Sequence, residues 1–168
     1  MSELTINISR LSEGAHPYTF EVEPNNVGLD TRFRQHVHLE MVLTKSGHQM
    51  HLRGEARTTV YFTCDRCLDE FEGPLSARVE IVYLTEENPG PTESEEEVQY
   101  LSSETNVLDL GEDVRQFLIL AVPQKLLCKD DCRGLCPKCG SNMNKVRCNC
   151  STEEIDPRWE VLKKMSLN

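Results

Sequence analysis

The chain has 168 residues, with 38% hydrophobic and 27% charged residues and a formal net charge of −10. This length suits one ordinary domain or one domain with a small appended module, and the composition is that of a folded chain. The longest apolar run, residues 117–122, is far shorter than the roughly 20 residues that a membrane span needs. The amino-terminal segment has neither a basic start nor a long apolar stretch, so we expect a cytoplasmic protein without a secretory signal peptide and without a membrane partner.

The first 85 residues alternate between apolar and polar side chains. Such period-two alternation predicts four or five half-buried antiparallel strands, and the turn Lys45-Ser46-Gly47 predicts a hairpin between two of them. The apolar positions of the alternating runs are Tyr18, Phe20, Val22, Val37, Leu39, Met41, Leu43, Met50, Leu52, Ala56, Val60, Phe62, Leu75, Ala77, Val79, Ile81 and Tyr83.

A flexible acidic loop and a helix are predicted after these strands. Residues 86–97 contain six Glu together with proline and glycine, which prevents a packed element. Asp109 can then cap a helix, with Glu112 completing a capping box and Pro123 ending it. The apolar stripe of this helix is Val114, Phe117, Leu118 and Ala121.

The elements together predict an α+β protein. Residues 1–124 are expected to form an antiparallel β-sheet covered by one helix, and the sequence leaves open whether the sheet closes into a barrel. Residues 125–168 are expected to form a C-terminal cysteine-rich zinc module packed on that body, with a last short helix through Trp159, Leu162 and Lys163.

Eight cysteines are the strongest chemical signal in the sequence. In a reducing cytosol, clustered cysteines more often hold a metal than form disulfides, and two C-x-x-C-type pairs make one closed four-sulfur site. Eight cysteines therefore predict two zinc ions. The pairs are Cys64 with Cys67, Cys128 with Cys132, Cys136 with Cys139, and Cys148 with Cys150.

The spacing favours one partition of these pairs into two sites. Cys136-Pro-Lys-Cys139-Gly is a strong metal-binding knuckle, and Cys148 and Cys150 follow closely enough to complete the site locally. The pair Cys64/Cys67 is then left with Cys128/Cys132, which would clamp the chain after the helix to the sheet. The competing partition combines Cys128 or Cys132 with the 136–139 knuckle.

Other chemistries fit the cysteines less well. C-P-x-C also occurs in thiol–disulfide oxidoreductases, but those enzymes place it at a helix start in a βαβ pattern that this chain lacks. A rubredoxin-like iron site shares the C-P-x-C-G knuckle but not the C-x-C partner. His36, His38, His48 and His51 are interpreted as solvent-facing residues, and we find no nucleophile–base arrangement and no phosphate-binding glycine loop, so we expect no enzyme.

Charge is divided unevenly along the chain. Residues 1–124 carry 9 Lys and Arg against 22 Asp and Glu, whereas residues 125–150 carry 6 against 2. Cations on a rigid knuckle can contact phosphates, although the segment has no interleaved aromatic residues for base stacking. The candidate nucleic-acid-binding residues are Lys125, Lys129, Arg133, Lys138, Lys145 and Arg147.

Four segments stand in a fixed order: Phe62 to Phe71, with C-D-R-C-L at the end of a strand; Leu127 to Gly140, ending in C-P-K-C-G; Asn142 to Cys150; and Asp156 to Leu162. Together they resemble the YceD-like family, the large ribosomal RNA subunit accumulation proteins, over about residues 50–165. The resemblance implies a bacterial cytoplasmic protein with plastid relatives, a role in accumulation or processing of large-subunit ribosomal RNA, and no known catalytic reaction. The resemblance also implies that many members keep the C-x-x-C of Cys64 and Cys67, whereas the C-P-x-C-G and C-x-C tail is present in only part of the family.

From the resemblance and the basic tail we expect a non-enzymatic, zinc-stabilised ribosome-biogenesis factor. Its expected partner is large-subunit ribosomal RNA or a pre-ribosomal particle. One alternative is an adaptor whose acidic body docks a basic ribosomal or RNA-processing protein. A lesser alternative is a thiol–disulfide redox protein.

Overall fold

The computed structural model describes residues 4–85, 97–102 and 104–150. The predicted acidic loop, apart from Glu97, and the predicted last helix at Trp159 lie outside the described residues. The strands are β1 (Thr5–Asn7), β2 (Gly14–Val22), β3 (Val37–Ser46), β4 (Gln49–Thr63), β5 (Glu70–Leu84), β6 (Glu97–Tyr100) and β7 (Val107–Asp109); the helices are a 3-10 turn at Pro24–Val27 and α1 (Gly111–Leu120).

The predicted α+β class is confirmed: the protein is a mostly antiparallel sheet with one α-helix. Five strands form one sheet in the order β2-β3-β4-β5-β6, and β6 adds parallel to β5. Strands β1 and β7 pair antiparallel as a separate two-stranded sheet. In the described residues, β2 and β6 are the outer strands of the five-stranded sheet, whose strand order is open.

Alternation in the sequence becomes alternation in burial. Val37, Leu39, Met41 and Leu43 of β3 are buried, and the residues between them are exposed. The β3–β4 hairpin turns at Gly47, where a φ of 57° suits glycine. Its register pairs Leu43 with Leu52, so apolar side chains of neighbouring strands face the same core.

The start of the helix differs from the prediction. Leu110, not the predicted Asp109, is the residue immediately before α1, and Asp109 is the last residue of β7. The Asp109 carboxylate still accepts a hydrogen bond from the Gly111 N–H at 3.0 Å. Glu112 does not close a capping box; it forms an ion pair with Arg115 at 2.8 Å, which lowers the pKa of Glu112 to about 2.

The apolar face of α1 is narrower than the predicted stripe. Val114 and Leu118 are buried, whereas Phe117 and Ala121 are half-buried. The helix contacts the 3-10 turn, and a Cβ at Gly28, the residue after that turn, would lie 3.2 Å from Arg115 Cδ. Among the described residues, no helix is long and apolar enough to cross a membrane.

Two compact units make up the chain. The first comprises Met1–Phe62 and Phe71–Gln124 and contains the sheets and α1; the second comprises Thr63–Glu70 and Lys125–Asn168. The knuckle of Cys64 and Cys67, which connects β4 to β5, therefore belongs with the cysteine-rich tail. All eight cysteines lie in the second unit.

Gly54 allows the backbones of β3 and β4 to approach closely, and a substitution there tests the packing. A Cβ at Gly54 would lie 2.3 Å from the Glu40 carbonyl oxygen and 2.8 Å from the Met41 Cα, so backbone would have to move. We expect Gly54→Ala to lower the free energy of unfolding by about 1–3 kcal/mol. Gly73→Ala is the matched control, since its nearest neighbour would be a Phe62 ring atom at an ordinary 3.6 Å. Equal stability of the two variants in chemical denaturation would contradict this packing.

Candidate metal centre

The eight cysteines form two groups of four. We call Cys64, Cys67, Cys128 and Cys132 cluster 1, and Cys136, Cys139, Cys148 and Cys150 cluster 2. Within each cluster the sulfurs lie within 4.8 Å of one another. This is the partition that the spacing favoured, and it differs from the competing one.

The distances within cluster 1 suit a tetrahedral metal. Cys64 Sγ lies 3.8 Å from Cys132 Sγ, and Cys67 Sγ lies 3.6 Å from Cys128 Sγ. Four sulfurs at about 2.3 Å from a zinc ion would be about 3.8 Å apart. These separations are also too long for disulfide bonds. The thiol set and its spacing could therefore hold a metal ion without rearrangement of the chain.

Two knuckles of the same geometry begin the clusters. The Leu68 N–H donates to the Cys64 carbonyl at 2.9 Å, and the Gly140 N–H donates to the Cys136 carbonyl at 2.9 Å. Leu68 and Gly140 each follow the second cysteine and each have positive φ, 60° and 71°. The backbone thus folds each C-x-x-C so that both sulfurs approach one centre.

Hydrogen bonds hold the two halves of cluster 1 together. The Asp65 N–H donates to the Leu126 carbonyl at 2.8 Å, and the Leu126 N–H donates to the Asp65 carboxylate at 2.7 Å. The Leu135 N–H donates to the Arg66 carbonyl at 3.1 Å. Gly134 permits this approach, because a Cβ there would lie 2.9 Å from the Arg66 oxygen and its φ is 74°.

The thiols of cluster 1 differ in pKa, because each one affects the ionisation of its neighbours. Burial raises the pKa of Cys64, but backbone N–H groups of Cys128, Cys67 and Arg66 outweigh it and lower that pKa to about 6. Burial and the neighbouring thiols of Cys67 and Cys132 raise the pKa of Cys128 to about 12. Four thiolates at this spacing repel one another, and a divalent cation at their centre would offset that repulsion.

Cluster 2 also contains thiols with lowered and with raised pKa, and it is more exposed than cluster 1. Hydrogen bonding with Ser141 lowers the pKa of Cys139 to about 6, and the neighbouring Cys139 together with burial raises the pKa of Cys150 to about 12. Cys136 is buried, whereas Cys139 is exposed. We expect a metal in cluster 2 to be more accessible to chelators than one in cluster 1.

A network of polar side chains that the sequence did not predict surrounds cluster 1. Asp69 accepts hydrogen bonds from Asn142 Nδ2 at 2.8 Å and from Lys145 Nζ at 2.8 Å. Asn144 Nδ2 donates to Cys132 Sγ at 3.2 Å. These residues stand within the sequence motifs, but no periodicity links Asp69 to positions more than 70 residues away.

All six predicted nucleic-acid-binding residues are exposed: Lys125, Lys129, Arg133, Lys138, Lys145 and Arg147. Lys145 and Lys129 also form ion pairs with described residues of the unit. Lys145 binds Asp69, and Lys129 lies 3.6 Å from Asp131. Lys145 therefore has a contact within the protein, to Asp69, in addition to its predicted contact with nucleic acid.

The histidines do not join a metal cluster among the described residues. His36, His38 and His48 are exposed, whereas His51 is half-buried. Three of them face carboxylates: His36 lies 2.8 Å from Glu23, and His38 and His51 lie 3.9 and 3.3 Å from Glu21 and Glu80.

Comparison with known proteins places the chain in a family. The family model described as large ribosomal RNA subunit accumulation protein YceD matches residues 52–166, which include every cysteine. The chain belongs to the YceD family. This confirms the resemblance seen in the motifs. No solved structure matches the chain.

Curated relatives match over shorter stretches. A protein of Arabidopsis thaliana, the chloroplastic large ribosomal RNA subunit accumulation protein YCED homolog 1, is 31% identical over 67 residues, which are 40% of this chain and 21% of that protein. Uncharacterized proteins of Mycobacterium bovis and Mycobacterium tuberculosis are each 33% identical over 103 residues, which are 61% of this chain and 48% of theirs. The matches thus span about half or less of the curated relatives.

Leu68 tests how much strain the first YceD knuckle carries. A bulky side chain at positive φ costs roughly 1–2 kcal/mol, and Leu68 is 62% exposed, so it recovers little by burial. Glycine costs roughly 0.5–1 kcal/mol in unfolded-state entropy. We therefore expect Leu68→Gly to raise the free energy of unfolding by up to about 1 kcal/mol, measured on metal-saturated protein by chemical denaturation.

The reciprocal variant is the control. A Cβ at Gly140 would contact nothing within 4 Å, so Gly140→Ala adds only backbone strain and should destabilise the protein. A loss of stability in Leu68→Gly as large as that in Gly140→Ala would contradict the interpretation of Leu68 as strained.

Proposed function

We propose that this protein is a non-enzymatic, zinc-stabilised factor that supports accumulation or processing of large-subunit ribosomal RNA during ribosome biogenesis. The observation that carries the proposal is the YceD match over residues 52–166. The Arabidopsis relative is named a large ribosomal RNA subunit accumulation protein, which supports the proposal. The proposal places the chain in the cytoplasm of a bacterial cell, where its thiols stay reduced.

Zinc is the metal that the donor set favours. Tetrahedral sites of four sulfurs bind zinc or iron, and zinc is the usual choice for closed structural sites. Four cysteines per cluster leave no open coordination position for a substrate, which supports a structural role over a catalytic one. Iron is the alternative outcome of elemental analysis, and it would give coloured protein.

The redox alternative has less support from the geometry. Within the described residues, neither C-x-x-C pair begins a helix, so neither has the N-terminal helix dipole that lowers the pKa of redox-active cysteines. Each pair instead lies beside a second pair of thiols, as a metal site requires.

Direct contact with RNA is proposed for the second unit. Its six candidate cations are all exposed and are interleaved along the sequence with the cysteines, and phosphate contacts provide affinity without base stacking. The acidic excess of residues 1–124 supports a second candidate, in which the protein docks a basic ribosomal or RNA-processing protein. Binding to pre-ribosomal particles that survives nuclease treatment would favour this second candidate.

Depletion of the protein in its native cells tests the function. We expect the ratio of large-subunit to small-subunit ribosomal RNA to fall, and the wild-type gene to restore it. Cys64→Ser should restore it poorly if cluster 1 shapes the active form, and Thr63→Ser, at an exposed neighbouring position, should restore it fully. An unchanged ratio on depletion would contradict the proposal.

A further inference from the structure

The chain segment between the two halves of cluster 2 contributes polar side chains that contact Cys132 and Asp69 at cluster 1. This segment, residues 140–147, runs from the residue after Cys139 to the residue before Cys148. A metal in cluster 2 would bring Cys139 and Cys148 to one centre and so close the segment into a short loop. Closing a loop removes conformations from the chain within it.

Three side chains of the segment hold cluster 1. Asn144 Nδ2 donates to the sulfur of Cys132 at 3.2 Å. Asn142 and Lys145 bind the two carboxylate oxygens of Asp69, each at 2.8 Å. Asp69 in turn accepts, through its backbone carbonyl, the N–H of Cys64 at 2.9 Å. The segment between Cys139 and Cys148 thus contacts one half of cluster 1 directly, at Cys132, and the other half through Asp69.

The amide of Asn144 is held in one orientation. Its Oδ1 accepts the Arg133 N–H at 2.9 Å, which leaves Nδ2 directed at Cys132. Its backbone N–H donates to Asn142 Oδ1 at 2.9 Å, and the Met143 N–H donates to the Gly134 carbonyl at 2.9 Å. Hydrogen bonds to a ligating sulfur of this kind stabilise the thiolate form and orient it toward a metal.

We propose that the two four-cysteine clusters load metal as one coupled unit, in which filling cluster 2 orders Asn142, Asn144 and Lys145 and thereby raises the metal affinity of cluster 1. The inference rests on the metal sites of the proposed function. Cluster 2 fills first, because its ligands span only residues 136–150, whereas those of cluster 1 span residues 64–132. The closure entropy of the shorter segment is smaller.

The first experiment titrates zinc into reduced, metal-free full-length protein and counts bound ions by native mass spectrometry. At one equivalent, thiol alkylation of the same sample should find the thiols of cluster 2 protected while those of cluster 1 still react. Protection of cluster 1 before cluster 2 would overturn the proposed order of filling.

The second experiment measures cluster 1 alone. In Cys148→Ser/Cys150→Ser, all four ligands of cluster 1 remain, and we expect its zinc affinity in chelator competition to fall about tenfold or more. Asn144→Asp keeps the acceptor for Arg133 but loses the donor to Cys132. In the chain with all eight cysteines it should also lower the affinity of cluster 1 about tenfold. Val146→Ala, an exposed position in the same segment, should leave it unchanged.

A double-mutant cycle separates coupling from a local effect. Asn144→Asp should lower the zinc affinity of cluster 1 much less in the Cys148→Ser/Cys150→Ser background, because cluster 2 no longer orders the segment there. Equal losses of affinity in both backgrounds would overturn the coupling. Failure of both clusters to bind zinc would instead overturn the metal sites, and tight, independent binding at both would overturn the coupling alone. If the double serine variant does not fold, the reciprocal measurement decides the matter: coupling predicts that Cys132→Ser lowers the zinc affinity of cluster 2, and an unchanged affinity there would overturn the coupling.

Discussion

Replacing Cys132 with serine is expected to reduce the zinc content from two ions per chain to one. Cys132 is 1% exposed, and its sulfur lies 3.8 Å from Cys64 Sγ and accepts a hydrogen bond from the Asn144 amide. Replacing it with serine therefore removes a buried sulfur ligand and disturbs both contacts. Structural zinc in small modules contributes roughly 10–16 kcal/mol of apparent binding free energy near neutral pH. Loss of one ligand should therefore expose residues 63–70 and 125–135 to amide hydrogen exchange.

Elemental analysis and hydrogen exchange of freshly purified protein check this prediction. Thr63→Ser is the control, since it changes an exposed side chain beside Cys64 and should keep two zinc ions. Cluster 2 should still bind in Cys132→Ser, although more weakly, because coupling between two binding sites is reciprocal. Wild-type protein stripped of metal that keeps the same protection in this unit would contradict a structural role for zinc.

Neutralising the exposed cations of the second unit is expected to weaken RNA binding and reduce its salt dependence. Each lost phosphate contact should lower the magnitude of the slope of log K against log salt by about 0.7–0.9. Lys145 is left unchanged because it binds Asp69 beside cluster 1 at 2.8 Å, whereas the contact of Lys129 with Asp131 is longer, at 3.6 Å, and joins two exposed side chains. The combined variant replaces with glutamine the residues Lys125, Lys129, Arg133, Lys138 and Arg147.

Fluorescence anisotropy with large-subunit ribosomal RNA fragments at several salt concentrations measures both quantities. If at least three of the five residues contact phosphates, the affinity at low salt should fall about tenfold or more. Replacement of Arg57 and Arg78 with glutamine is the control, since both are exposed cations of the first unit, and it should leave the slope unchanged. An unchanged slope in the combined variant would remove these residues from the RNA interface and favour the adaptor candidate.

The sequence predicted the parts of the fold that have a local period. The alternation of Val37, Leu39 and Met41 marked β3 because one side of the strand is buried and the other is wet. The short strands β1 and β7 carry no such pattern, since three residues are too few to show a period. Their pairing joins positions about 100 residues apart and depends on tertiary structure.

The same distinction applies to the site. Cluster 2 could be predicted because its cysteines close within one short segment, and cluster 1 followed as the remaining pairs. The bonds of Asp69 to Asn142 and Lys145 cross more than 70 residues and leave no local signal. The position of Leu68 was visible in principle, since C-D-R-C-L and C-P-K-C-G align and place it where the second knuckle has Gly140.

Crosslinking the protein to RNA in its native cells and sequencing the bound RNA is the most direct test of its proposed role. The account predicts strong enrichment of large-subunit over small-subunit ribosomal RNA, with the crosslinked peptides falling in residues 125–150. Absence of RNA crosslinks from protein that is expressed, folded and metal-loaded would contradict direct RNA contact.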